Sequence, residues 1–377
     1  MRIFENKQID FLNQPMFFGE NVNVSRFDIQ KYPFIEQQHR KQIGFFWVPE
    51  EISLENDKYE FHQLSPAAQH IFTSNLKYQI VLDSVQGRGP GLALLPYVSI
   101  PELESFIETW SFFEGPIHSR SYTHIIRNLY DDPSSVLDHI TDIQELVDRA
   151  KAVTMYYDDF INYATHYRLL GYGTHTVNGN TIEITQYDLH KKLYLMMVSI
   201  YILEAIRFYA SFACSWAFAE SMGVLKKNAK IIKMICRDEN LHMAVTSFML
   251  KKMADGSEGK LLEQIAKDSR QEVNQMFLDA VQQEFDWADY LFKDGSIIGL
   301  NAEILKDYIK FIANKRVKSL GLSKLIDGPS SNPLPWTESW ISGKSVQVAP
   351  QETEITAYIV GGINKNVNKE VFKDFEL

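Results

Sequence analysis

Ile231-Ile232-Lys233-Met234-Ile235-Cys236-Arg237-Asp238-Glu239-Asn240-Leu241-His242 is the stretch on which the fold turns. Ile231 and Ile235 recur at helical spacing and lead to Glu239 and His242, which lie three residues apart and so project from one face of a helix. That is the face a soluble helix turns toward its core, so a carboxylate and an imidazole are carried inside. Buried charge needs a partner. A Glu-x-x-His spacing is common by chance, and the apolar stripe leading to it is what gives it weight.

The same conflict between stripe and charge recurs on three other segments. Phe72 and Leu76 set an inward face that arrives at Asp83, between Leu82 and Val85. Glu204 is the acid within the apolar run Leu193 to Phe218, with Arg207 three residues on as an ion-pair partner that would neutralise it. Glu114 and His118 follow the aromatic run Trp110, Phe112 and Phe113. Two segments therefore give one carboxylate each and two give a carboxylate with a histidine. That is the ligand set of ferritin-like bundles holding two iron or manganese ions, and oxygen-rich donors with one imidazole per ion suit those metals better than zinc or copper. Each residue taken alone also reads as a satisfied core group.

The rest of the chain agrees with an all-α, ferritin-like bundle carrying extra helices. Ser65-Pro66 is a cap with Pro at the first helical position, opening a helix to about Gly87. Pro101 opens another to about Asn128, interrupted by Gly115-Pro116. Further helices are expected over about 143–170, 186–222, 225–253, 258–285 and 301–320. Asn178-Gly179 between β-branched residues predicts a small hairpin at Thr176–Ile182. From about Pro333 helical periodicity is lost, which divides the chain into a helical domain, 1–340, and a C-terminal tail, 341–377, that either orders on a partner or remains unstructured.

Composition sets bounds. With 377 residues, 45% of them hydrophobic, the chain can bury a large core. A formal net charge of −10 argues against a nucleic-acid surface. Nothing in the opening residues reads as an export signal, and Cys214 and Cys236 form no Cys-x-x-Cys pair, so a cytoplasmic protein is expected. Glu204 and Arg207 in the middle of the most apolar run argue for a buried core helix there and against a membrane span.

At these residues the sequence resembles the small (beta) subunit of class I ribonucleotide reductase. The likeness is carried by Pro15-Met16-Phe17-Phe18-Gly19, Phe45-Phe46-Trp47, Asn75-Leu76-Lys77-Tyr78-Gln79, His118-Ser119-Arg120-Ser121-Tyr122, Leu203-Glu204-Ala205-Ile206-Arg207-Phe208, Arg237-Asp238-Glu239 and Val346-Gln347-Val348-Ala349-Pro350-Gln351-Glu352. The resemblance implies that Asp83, Glu114, His118, Glu204, Glu239 and His242 bind two metal ions, iron with manganese as the alternative, that react with dioxygen. It implies a radical on Tyr122, a relay through Trp47 and Asp238, and transfer by Tyr358 of the tail. Phe208, Phe212 and Ile235 would enclose the radical. The tail, ending Phe375-Glu376-Leu377, would dock on the large (alpha) subunit, where ribonucleotides are reduced, and the subunit would be a homodimer. A stand-alone di-metal oxidase or monooxygenase of the same fold is the alternative, and it would need neither relay nor tail.

One departure from the family pattern stands out. The family separates the first Glu and His by two residues, whereas Gly115, Pro116 and Ile117 separate Glu114 from His118. An extra residue displaces what precedes it by about 1.5 Å of rise and about 100° of rotation. Pro116 has no N–H for the preceding turn, so a kink or π-bulge is expected there, with Glu114 still facing the site. In the rival arrangement Glu114 is displaced and the first metal position is left altered.

Overall fold

The structure, a computed structural model, describes residues 4–342. Tyr358, Val346–Glu352 and the ending Phe375–Leu377, on which the tail's expected role depends, lie outside the described residues.

The helices are α1 (Pro33–Gly44), α2 (Glu55–His62), α3 (Pro66–Gln86), α4 (Gly89–Leu94), α5 (Pro101–Phe112), α6 (Arg120–Leu129), α7 (Ser134–Leu137) and α8 (Gln144–Leu170). They continue as α9 (Gln186–Ile202), α10 (Phe208–Ser221), α11 (Lys226–Ala254), α12 (Lys260–Asp268), α13 (Arg270–Leu291), α14 (Ala302–Ser319) and α15 (Thr337–Ile341). Strands β1 (Gly173–Val177) and β2 (Asn180–Ile184) pair antiparallel about Asn178-Gly179, with Thr176 opposite Thr181, as the turn residues predict.

Local chemistry starts the ligand-bearing helices. Ser65 Oγ accepts from the Ala68 N–H at 3.2 Å, and Pro66 follows it at the first helical position of α3. Two of the four helical rods are not regular. A π-helix, Phe113–Ser119, joins α5 to α6 across the Gly115-Pro116 step, which is the widened turn that the extra residue predicts. A second π-helix, Leu203–Arg207, joins α9 to α10, and no residue there announced it.

The bundle's centre is the α9–α10 rod. Every side chain from Leu193 to Phe218 is buried. It is apolar enough by composition to cross a membrane, but its most apolar window is wholly inside the fold. Around it α10 packs on α3 and α11, and the first π-helix packs on α3.

Two boundaries differ from expectation. The helix expected over 258–285 is two, because the chain turns at Ser269 (φ −83°, ψ 0°), where ψ leaves the helical range. The loss of periodicity at Pro333 does not end the ordered fold. Leu334 and Thr337 are buried, and the short helix α15 stacks Trp340 on Trp216 at 5.7 Å between ring centroids.

A buried charge cluster fastens the outer layer to the bundle. Glu284 Oε1 on α13 accepts from Tyr78 of α3 and from Arg207 of the second π-helix, both at 2.8 Å, and Arg149 of α8 lies 3.4 Å away. Both arginines are within 3% of full burial. Glu284→Ala would strand two buried cations and is expected to lower the unfolding free energy by roughly 3–5 kcal/mol, measured by denaturant titration.

Candidate metal centre

Four rods bring six side chains to one place. Asp83 comes from α3, Glu114 and His118 from the first π-helix, Glu204 from the second, and Glu239 with His242 from α11, all fully buried. They form two overlapping groups. Ligand atoms of Asp83, Glu114, His118 and Glu239 lie within 4.8 Å of one another, and so do those of Glu114, Glu204, Glu239 and His242. Glu114 and Glu239 belong to both, as bridging carboxylates between two ions would. Glu114 therefore lies inside the cluster, with its carboxylate among the donors of both groups.

The two imidazoles are oriented alike. His118 turns Nδ1 to Glu114 Oε2 and Glu239 Oε1, each at 3.2 Å, and Nε2 to Asp238 Oδ2 at 3.3 Å. His242 turns Nδ1 to Glu114 Oε1 at 2.9 Å and to Glu239 Oε2 at 3.3 Å, while Nε2 meets the side-chain amide of Gln42. An outer partner on the second ring nitrogen fixes each ring and leaves Nδ1 facing the carboxylates, the arrangement seen around metal-bound histidines.

Outer contacts also hold the acids. Gln86 donates to Glu204 Oε1 at 2.7 Å and accepts from the Tyr157 hydroxyl at 2.9 Å. Trp110 Nε1 donates to Glu114 Oε1 at 3.1 Å. Arg207 does not neutralise Glu204, because its guanidinium is engaged by Glu284 and by Gln283 at 2.6 Å. Among the described residues no Lys or Arg forms an ion pair with any of the four acids, and both Asp83 oxygens lack a hydrogen-bond partner. Four buried carboxylates with two imidazoles and no other cation are a donor set that divalent ions fit.

Protons compensate where no metal does. Burial raises Asp83 and Glu204 well above the ordinary carboxylate range, and the Glu114 charge adds to this at Asp83. Burial would raise Glu114 too, but hydrogen bonds from His118 and His242 bring it down to about 2. Burial acts to lower His242, yet its bonds to Glu114 and Glu239 push it up to about 10, and His118 is raised in the same way by Asp238, Glu114 and Glu239.

The remaining candidates sit close by. Tyr122 on α6 is fully buried with its hydroxyl toward Asp83, and burial followed by the Asp83 charge raises its pKa. Trp47 Nε1 donates at 2.8 Å to Asp238 Oδ2, the same oxygen that faces His118. Phe208, Phe212 and Ile235 are fully buried, the two phenyl rings stacked at 5.8 Å. Gln42 and Gln86 were not expected. Gln86 had a signal, the polar line Asn75, Gln79, Asp83, Gln86 at helical spacing within an apolar helix, whereas Gln42 comes from 200 residues before His242 with none.

Known proteins resemble this chain along nearly its whole length. The family model described as "Ribonucleotide reductase, small chain" matches residues 26–333. The ribonucleoside-diphosphate reductase subunit beta of Haemophilus influenzae is 50% identical over 374 residues, covering 99% of both chains. That of enterobacteria phage T4 is 40% identical over 383 residues, covering 99% of this chain and 98% of its own. Among solved structures, the ribonucleotide reductase R2 subunit from Clostridium botulinum superposes with a TM-score of 0.74 at 25% identity, covering 90% of this chain and 98% of that one.

A metal ion entering the cluster has to displace the proton that His242, pushed up to about 10, holds at neutral pH. Affinity for divalent ions is therefore expected to rise with pH through the neutral range, with at least one proton released per chain loaded. Titration calorimetry in buffers of different ionisation enthalpy counts them, and zero net release would contradict this electrostatic picture.

Proposed function

The chain belongs to the ribonucleotide reductase small-chain family, and from that premise we propose that it is the radical-generating beta subunit of a ribonucleoside-diphosphate reductase. The observation that carries the proposal is the double cluster, in which Glu114 and Glu239 are shared between two donor groups beside a buried phenol. Asp83, Glu114, His118, Glu204, Glu239 and His242 would hold two iron ions, or two manganese ions. Such a pair, when bound, reduces dioxygen and supplies the oxidising power that a tyrosine radical requires.

The chain's own residues account for the rest. Tyr122 would lose an electron and its hydroxyl proton, and Asp83 is the carboxylate whose charge acts most strongly on that hydroxyl. Phe208, Phe212 and Ile235 would keep water and reductants from the radical. Trp47, Asp238 and His118 form a hydrogen-bonded line from a core indole to the cluster, suited to moving an electron along with a proton. From Trp47 the oxidising equivalent would pass by Tyr358 of the tail to the large subunit, where ribonucleotides become deoxyribonucleotides. The helical domain, 1–340, would do the chemistry and the tail, 341–377, would dock. A stand-alone oxidase gains no support, since the Trp47–Asp238–His118 line has no use in one.

An exposed apolar face supports a homodimer. Ile43 and Phe46 beside α5, with Phe112 at its end, are 53%, 48% and 44% exposed, and the two phenyl rings stack at 6.3 Å. Such a patch on a soluble chain marks a contact surface. Phe112→Asp is expected to shift the chain from dimer toward monomer in sedimentation equilibrium. A cytoplasmic location fits the reducing conditions under which Cys214 and Cys236 are free.

The radical is tested by electron paramagnetic resonance after reconstitution with ferrous iron, or manganese, and oxygen. A tyrosyl signal is expected in the unaltered protein and none in Tyr122→Phe. A metal-loaded protein that gives no such signal under any of these conditions would sink the radical assignment.

A further inference from the structure

Regular helix cannot hold Glu114 where it is, and part of what does lies on another element. The carboxylate sits in the π-helix Phe113–Ser119, a rare widened turn, and Pro116 has no N–H for the turn before it. Two side chains brace this turn. Trp110 Nε1 donates to the Glu114 carboxylate, and Ser119 Oγ donates to the Glu114 carbonyl, both at 3.1 Å. The third brace is main chain against main chain, where Gly115 lies on Gly87 at the end of α3.

The contact is too tight for a side chain on one partner unless the neighbouring backbone gives by a few tenths of an ångström. A β-carbon on Gly87 would stand 3.1 Å from both the Cα and the N of Gly115, and 3.0 Å from the carbonyl oxygen of Asp83. Gly87 has an ordinary helical conformation (φ −62°, ψ −19°), so it is space and not backbone freedom that calls for glycine. The fit is one-sided. A β-carbon on Gly115 would meet nothing nearer than the Gly87 carbonyl oxygen, at 3.9 Å.

We propose that Gly87 is a positioning residue for the metal centre, its bare Cα letting the π-helix backbone seat against the helix end that carries Asp83 and so setting the separation of Asp83 from Glu114. The proposal rests on reading the cluster as a two-metal centre. Gly87 lies one turn beyond Asp83, and its N–H donates to the Asp83 carbonyl at 2.8 Å. Asp83 main chain, Gly87 and Gly115 are thus stacked in direct contact, with Glu114 next in the chain. A methyl at 87 presses on both sides of this stack. It disturbs two donors of the position built from Asp83, Glu114, His118 and Glu239, but one donor of the position that includes Glu204 and His242.

The test uses the full chain with manganese(II) alone as the probe. Two such ions a few ångströms apart couple magnetically, while an isolated ion gives the six-line spectrum, so electron paramagnetic resonance reads the two positions apart from activity. Far-UV circular dichroism and thermal unfolding of the metal-free variants report folding separately. The unaltered chain and Gly115→Ala are expected to bind two ions with the coupled spectrum. Gly87→Ala is expected to keep one ion and to bind the second roughly tenfold more weakly or worse, leaving a six-line signal. Two ions in Gly87→Ala with unaltered affinity and coupling would overturn the proposal. So would loss of the second ion in Gly115→Ala, and so would a Gly87→Ala chain that fails to fold, because Gly87 would then serve the fold as a whole and not the separation of the two donors. An unaltered chain that never binds two manganese ions would instead overturn the two-metal reading.

Discussion

Four carboxylates held around two imidazoles, out of reach of water, form the interaction on which the rest of this structure depends. In a low-dielectric interior, four ionised acids could not coexist without cations, and no lysine or arginine is paired with them among the described residues. Burial and mutual hydrogen bonds bias where protons sit among these donors. Asp83 and Glu204 are pushed toward the neutral form, and both histidines toward the charged form, with Glu114 and Glu239 between them. Two divalent ions would supply the positive charge that these donors otherwise draw from protons.

The irregular backbone sits where ligands are aimed. Three of the six candidate donors, Glu114, His118 and Glu204, are on π-helices, and the other three are on regular helices. In the first π-helix the extra residue explains why. An α-helix through Glu114-Gly115-Pro116-Ile117-His118 would turn one donor about 100° relative to a three-residue step, and the wider turn absorbs that rotation. The second π-helix leaves Glu204 facing Gln86 while Arg207, three residues later, faces Glu284. One short segment thereby serves the cluster on one side and the buried clamp on the other.

How much of this could be read from the sequence depended on the range of the interaction. Acids on apolar stripes, the Ser65-Pro66 start, the Asn178-Gly179 turn and the strain at Gly115-Pro116 are local, and each carried its own signal. The partners of Arg207 did not. Spacing offered Glu204 at three residues, whereas the structure chose Glu284, 77 residues away, because a regular three-residue step does not survive in a π-helix. Gln42 behind His242 and the crossing of Gly87 with Gly115 are likewise products of tertiary packing, which no periodicity encodes. The break at Ser269 and the short helix α15 were missed for a related reason. Both are brief, and they are held by buried side chains such as Ser269 and Thr337 and by the stack of Trp340 on Trp216 more than by helical pattern.

Asp238 and Glu239 show how one helix can serve two tasks without mixing them. Neighbours on a helix diverge by about 100°, so adjacent acids reach different atoms of what surrounds the helix. Glu239 faces His118 Nδ1 and His242, whereas Asp238 meets the Trp47 indole and the far nitrogen of His118. Asp238 also has Arg237 at 3.4 Å, a cation that the cluster acids lack, and that guanidinium stacks 4.3 Å over the Phe45 ring. The two acids therefore differ in what compensates them, arginine for one and histidines or metal for the other. His118 is the joint between the two environments. Its outer nitrogen fixes how the ring meets the cluster, so any change that alters Asp238 is felt as a change in ligand orientation as well as a break in the line to Trp47.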